Sequence, residues 1–138
     1  MTCRFQMEIE NSMADYAVLA EQLRAFASQS PLSEAEAHHL ELVIEELVVN
    51  VIKHGYDDNR RGRIALEVVV EPDLAITLSD DGDPFDPLAA APPDIDLDTD
   101  DRPIGGLGIY FVRTFMDEMH YNRHAGRNIL TLRKRLNV

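Results

Sequence analysis

Apolar Cys3, Phe5, Met7 and Ile9 alternate with Arg4, Gln6 and Glu8, the period-two mark of a strand with one buried face. The period then lengthens: Tyr16, Leu19, Ala20, Leu23 and Ala27 recur at helical spacing until residues 28–31 bring polar groups and a proline. Ser33 and Glu36 form a capping box, in which hydroxyl and carboxylate satisfy free N–H groups at a helix start. A second helix is therefore predicted from Glu34 to Gly55, roughly 30 Å long at 1.5 Å per residue. After a polar turn at 57–62, Ile64, Leu66, Val68 and Val70 alternate, and beyond residues 71–73 so do Leu74, Ile76 and Leu78, which predicts a β-hairpin. Residues 83–104 place five prolines among aspartates and alanines, with too little apolar material to pack, and read as a long functional loop. Leu107, Phe111, Val112, Phe115, Met116 and Met119 predict a third helix over 107–119. Two strands, near 120–124 and 128–134, follow around a turn at Ala125-Gly126.

This order has no regular βαβ alternation, so the expected fold class is α+β: a two-layer sandwich with a mixed, mostly antiparallel sheet and about three helices on one face. The 138 residues, 45% of them hydrophobic, suit a single domain over 1–138. A net charge of −12 speaks against general attraction to nucleic acid or to anionic membrane surfaces. The charge is uneven: residues 80–101 carry nine aspartates and no Lys or Arg, whereas Arg123, Arg127, Arg133, Lys134 and Arg135 lie in a stretch without an acid. That basic end suits either a solvated face or a protein-docking patch. Cys3 is the only cysteine, which excludes an intrachain disulfide and a thiolate zinc site. No stretch reaches the ~20 apolar residues of a membrane span, and no signal-peptide pattern is present, so a soluble, cytoplasmic protein is expected.

Three short segments carry candidate chemistry. In the second helix Glu46, Asn50 and His54 recur every four residues beside an apolar stripe of Leu40, Val43, Ile44, Leu47, Val48 and Val51. At 100° per residue this polar row runs along the shoulder of the stripe, Glu46 farthest out and His54 nearest. By itself the row suits a solvated face as well as a cleft wall, where a carboxylate and an amide one turn apart could hold a hydrated Mg²⁺ and orient a nucleophile. Asp80-Asp81-Gly82 follows a strand, where an acid before a glycine either makes an ordinary turn or accepts an N–H from a flat ligand that the bare backbone lets approach. Ile104-Gly105-Gly106-Leu107-Gly108-Ile109 opens the third helix, and glycines at a helix start serve tight packing or let phosphate oxygens reach free N–H groups. This run lacks the Lys-Ser/Thr of a P-loop and the spacing of a dinucleotide fingerprint.

Taken in order, Glu-x-x-x-Asn-x-x-x-His, Asp-x-Gly and Gly-Gly-Leu-Gly resemble the three motifs of the GHKL ATPase superfamily, the Bergerat ATP-binding fold shared by gyrase, histidine kinases and MutL. Residues 42–56 match its N box, 80–86 its first glycine box and 104–109 its second. His54-Gly55-Tyr56, Phe85-Asp86 and the run from Gly105 to Tyr121 resemble, within that superfamily, the RsbW-like anti-sigma factor serine/threonine kinases of bacterial partner-switching systems. The resemblance implies ATP and Mg²⁺ as cofactors, Asn50 as the Mg²⁺ ligand, Glu46 as the base toward an incoming hydroxyl and Asp80 as acceptor of the adenine amino group. It implies further that Gly82, Gly105, Gly106, Leu107 and Gly108 shape the pocket and hold phosphates, with residues 86–104 as the ATP lid. His54 ends the helix and buttresses the site.

The partners implied are a STAS-domain antagonist that is phosphorylated and released, a sigma factor or other regulator that is held inactive, a PP2C-type phosphatase in the same circuit, and a second copy in a homodimer. Two other readings use the same pocket: a nucleotide-dependent module that sequesters a regulator without turnover, and a detached histidine-kinase-type ATPase domain. Some members carry an arginine directly before the glycine pair, where this chain has Ile104; either Arg102 takes over its phosphate or partner contact, or the activity is weaker. The aspartates near the lid are expected to keep it open until Mg²⁺-ATP binds. His38 and His39 lack partners at metal-ligand spacing and are expected at the surface.

Overall fold

The computed structural model describes residues 2–57, 60–89 and 106–136. Strand β1 (Cys3–Glu10) leads into helix α1 (Met13–Ser28) and the long helix α2 (Glu34–His54). Strands β2 (Arg63–Val70) and β3 (Leu74–Asp80) form the hairpin, a 3₁₀ turn covers Pro87–Ala89, and α3 (Gly106–Phe115), β4 (Glu118–His124) and β5 (Arg127–Lys134) follow. The sheet runs β1-β2-β3-β5-β4, and each of its four pairings is antiparallel.

Both long helices start where their caps place them. Ser12 accepts the Asp15 N–H at α1, and at α2 Ser33 and Glu36 exchange both bonds of the capping box. Inward strand positions then line up across the sheet: Phe5 pairs with Val68, Val68 with Ile76, Ile76 with Leu132 and Leu132 with Met119. Against this row pack Leu19 and Leu23 of α1, Leu40, Val43, Ile44, Leu47 and Val48 of α2, and Val112 of α3, all buried. Burying an aliphatic side chain of this kind contributes about 1.5–3 kcal/mol, so this single layer holds the helices to the sheet.

Two expectations require correction. The third helix ends at Phe115, not Met119, because the Asp117 N–H turns to the Arg133 carbonyl and β4 has begun by Glu118. Met119 continues the helical spacing of Phe115 and Met116 by coincidence and is an inward strand residue opposite Leu132. His39 is half-buried rather than a surface residue: α3 lies over it, and its ring sits 4.1 Å from that of Phe115. Lys134 Nζ approaches the same Phe115 ring at 4.5 Å and donates to the Phe115 carbonyl, which places a cation at the C-terminal end of α3.

Candidate active site

A pocket opens between α2, α3 and the β3–β5 end of the sheet. Its apolar walls are Leu47, Val51, Leu78, Ile109 and Leu130, with Phe85 and Pro87 at one side, and its polar lining comes from Asn50, Asp80, Tyr121 and Asn128. Asp80 is the last residue of β3 and continues the inward phase of Leu74, Ile76 and Leu78, so the pleat carries its carboxylate into the interior, 4% exposed. The sheet register extends that position into a row, in which Ile64, Asp80, Asn128 and Arg123 stand opposite one another on four strands.

Asn128, 5% exposed, is the hub of this row. Its Nδ2 donates to Asp80 Oδ1 at 3.0 Å and to the Asp83 carbonyl at 2.8 Å. Its Oδ1 accepts from the Tyr121 hydroxyl, from Arg123 Nη1 at 3.1 Å and from the Phe85 N–H at 3.3 Å. The amide orientation is therefore determined, since the reverse would set its carbonyl against two acceptors. Asp80 Oδ1 also accepts the Gly82 N–H at 2.8 Å, so both hydrogen bonds of this carboxylate among the described residues fall on one oxygen. Asn128, Tyr121 and Arg123 form no motif in the sequence. The one available signal was phase, because Asn128 lies two residues before the inward pair Leu130 and Leu132.

The glycine at 82 has a steric cause: a Cβ there would lie 2.4 Å from the Gly55 carbonyl and 2.8 Å from Asp80 Oδ1. The Asp83 N–H donates to that same Gly55 carbonyl at 2.8 Å, which joins the end of α2 to the loop after β3. On the outer side of this loop Asp81 Oδ1 accepts from the Tyr56 hydroxyl and from the Arg63 N–H, both at 2.9 Å. Partial burial pushes the Asp81 carboxyl up, but the bonds from Arg63 and Tyr56 outweigh it and hold the group below the usual carboxylate range. Burial, reinforced by the bond to Asp81, pushes the Tyr56 phenol well above its ordinary value of 10.0.

On the α2 side Asn50 lines the pocket, and Glu46 one turn before it, outside the lining, is joined to it by a bond from Asn50 Nδ2 to Glu46 Oε1 at 3.3 Å; both are half-buried. Helix α3 crosses so near that a Cβ on Gly108 would lie 1.8 Å from Glu46 Cδ. Gly108 is thus the residue that lets the two helices meet at the carboxylate. The order of exposure along the polar row is the reverse of that expected: α3 covers Glu46, whereas His54, at the open end of α2, is exposed and is not among the residues lining the pocket. Gly106 and Leu107 stand in the first turn of α3. Arg102, Ile104, Gly105 and most of the 86–104 segment lie outside the described residues.

Among the described residues no group of three or more His, Cys, Asp or Glu side chains could hold a metal ion, and no helix is long and apolar enough to cross a membrane. Asn50 and Glu46 supply oxygen atoms suited to a hard cation that keeps most of its waters.

The family model of the histidine kinase-like ATPase domain matches residues 9–134, and the chain belongs to that family. Within it the chain is similar to the RsbW-like kinases. The serine-protein kinase RsbW of Bacillus licheniformis is 31% identical over 110 residues, covering 75% of this chain and 68% of the relative. RsbW of Bacillus subtilis is 29% identical over 111 residues, with the same two coverages, 75% and 68%. RsbW of Listeria monocytogenes is 29% identical over 113 residues, covering 78% and 72%. The crystal structure of the RsbU and RsbW domains of Rv1364c from Mycobacterium tuberculosis superposes with a TM-score of 0.65 at 15% identity, over 96% of this chain and 32% of that one. A histidine kinase domain from Erythrobacter litoralis EL346 gives a TM-score of 0.54 at 16% identity, over 88% of this chain and 63% of that one. At these identities the two structures speak for the fold alone.

Proposed function

We propose that this protein is an ATP-dependent serine/threonine kinase that phosphorylates a STAS-domain antagonist and, between such events, holds a sigma factor or another regulator inactive. The observation that carries the reading is one pocket lined both by a buried acceptor, Asp80, and by the amide of Asn50, which is hydrogen-bonded to the Glu46 carboxylate beside it. The donor set fits the ligand: a flat base can lie between Leu47, Val51, Ile109 and Leu130 while its amino group donates to Asp80. Magnesium, held by Asn50 with phosphate and water oxygens, would supply charge neutralisation for the transferring group.

The chain's own groups divide the remaining work. Asn50 donates to one oxygen of Glu46, which fixes the carboxylate and leaves its second oxygen to orient an incoming hydroxyl and take its proton. Gly106 and Gly108 bring no Cβ to the first turn of α3, where phosphates would meet its N–H groups, and the family resemblance adds Gly105, Leu107 and Arg102 to the residues that would hold them. His54 is the last residue of α2 and ends that helix beside the pocket's α2 wall. The names of the relatives support a serine acceptor. A cytoplasmic homodimer in a circuit with a PP2C-type phosphatase completes the proposal.

The test mixes purified protein, Mg²⁺-ATP labelled at the γ-position and a cognate STAS protein. Acid-stable label on a Ser or Thr of that protein is the expected result. Tight complex formation without transfer would replace the kinase with a sequestering module, and acid-labile label on a separate hairpin protein would make it a histidine kinase component.

A further inference from the structure

Every hydrogen-bonding position of the buried Asn128 amide is taken: two acceptors face its Nδ2 and three donors face its Oδ1. Such a group has nothing left for a ligand, although it lines the pocket. We propose that Asn128 is the positioning residue for base selection: it pins Asp80 as an acceptor-only group, and Tyr121 and Arg123 of β4 hold it in that pose. The inference rests on the nucleotide-binding reading above and extends it to what the pocket rejects.

The chemistry follows from which oxygen is occupied. Gly82 and Asn128 both donate to Asp80 Oδ1, so turning the plane of the carboxylate away from this pose leaves two buried donors unpaired. Its remaining oxygen then meets the ligand solely as an acceptor, beside the apolar walls of Leu47, Val51, Ile109 and Leu130. A purine with an exocyclic amino group at that point supplies the matching donor. A purine with a carbonyl there sets oxygen against oxygen, and a site built around a hydrogen bond rejects the mismatch strongly. Asn128 also holds residues 83 and 85 through the Asp83 carbonyl and the Phe85 N–H, so one side chain sets both the acceptor and the adjoining pocket wall. Arg123 reinforces this from β4, since the Nη1 that donates to Asn128 also donates to the Gly82 carbonyl at 2.8 Å. The β4–β5 hairpin, distant in sequence from both glycine segments, thereby becomes part of the recognition element.

The test is equilibrium binding of Mg²⁺-ATP and Mg²⁺-GTP by calorimetry to the full chain and two variants, with folding checked by circular dichroism. The wild type is expected to prefer ATP. Asn128→Ala is expected to lose about tenfold or more in ATP affinity, the scale of a lost hydrogen bond to a charged group, with GTP changed by less than about threefold, so that the ratio collapses. Tyr121→Phe removes only the hydroxyl that donates to Asn128 and keeps the ring, and is expected to shift the ratio the same way by about two- to fivefold. Equal losses for both nucleotides in Asn128→Ala, or an unchanged ratio in Tyr121→Phe, would reduce Asn128 to a structural role and overturn the inference. If Asn128→Ala does not fold, the Tyr121→Phe ratio decides. A wild type that binds neither nucleotide overturns the nucleotide-binding reading itself, and the inference with it.

Discussion

At the Asp80 end of the pocket, a buried carboxylate and a buried amide share six hydrogen bonds drawn from β3, the loop after it, β4 and β5. On the α2 side, among the described residues, a single 3.3 Å bond joins Asn50 of the pocket lining to Glu46 beside it, and Gly108 of α3 faces that carboxylate. The first arrangement is complete before any ligand arrives; its geometry is over-determined and its polar atoms are saturated except toward the pocket. The second keeps spare capacity, with a carboxylate and an amide that can each take further partners. This difference suits a division between recognition, which gains from rigidity, and group transfer, which needs atoms free to bond with whatever is being moved.

Substitutions at the two ends should therefore fail in different measurements. The largest effect is expected from Glu46→Gln, which should lower phosphoryl transfer by roughly 10²–10⁴-fold, the usual weight of a general base, while ATP affinity changes only a few-fold. Single-turnover transfer to the STAS substrate beside calorimetric binding separates the two, and unchanged transfer would remove Glu46 from the role of base. Asp80→Ala should act in the opposite sense, lowering ATP affinity on the order of a hundredfold. It should also lower the melting temperature, because the Gly82 N–H and Asn128 Nδ2 lose their acceptor at about 1–3 kcal/mol per buried group left unpaired. Retained affinity would place the base elsewhere.

Asn50→Ala should abolish the Mg²⁺ dependence of ATP binding, read by titration with and without chelator; a surviving metal dependence would move the ligand to another residue. Gly108→Ala sharpens the contrast. Its methyl would fall 1.8 Å from Glu46 Cδ, so α3 or the carboxylate must shift. Transfer should then fall roughly tenfold through misplacement alone, with the ATP-to-GTP preference intact.

The smallest effect concerns the outer brace of the Asp80 loop. Asp81 has a folded-state pKa below its unfolded value, so its contribution is present above the ordinary carboxylate range and is lost as pH falls through the folded pKa. Tyr56 has a raised pKa, so its contribution is present below the phenol's ordinary 10.0 and is lost as pH rises toward the folded value. Tyr56→Phe should flatten the alkaline side of a melting-temperature profile above about pH 10, where the free phenol begins to ionise. An alkaline limb that survives the substitution would assign it to other groups.

Much of this was legible from periodicity. The spacing of Glu46 and Asn50 places them on one side of α2, and the strand pattern of Leu74, Ile76 and Leu78 sets Asp80 at a strand's end; that β3 runs on to Asp80 and turns it inward is seen in the structure. Asn128 has the same inward phase relative to Leu130 and Leu132, yet a lone amide beside Gly126 reads equally well as turn chemistry, so its function was not visible. Exposure along the polar row is hidden from the sequence for a related reason. The angle of a residue about its own helix axis says where it points, but whether it is covered depends on a second helix. Met119 reads as part of α3 because a spacing of three from Met116 satisfies the helical template, and the backbone bond from Asp117 to Arg133 that ends the helix lies in no local pattern.

The sequence by itself determined the kinds of elements, their order, the caps that start α1 and α2, and the three short segments that carry candidate chemistry. These depend on neighbours within a few residues, where backbone geometry and periodicity act directly. The tertiary structure decided that β5 inserts between β3 and β4, and so brings Asn128 beside Asp80 and Arg123 beside Asn128. It decided also that α3 crosses α2 at Gly108, closing over Glu46 and leaving His54 open. Both outcomes rest on pairings between residues far apart in the chain, set by sheet register and by the close approach that a missing side chain permits, and no local pattern encodes either.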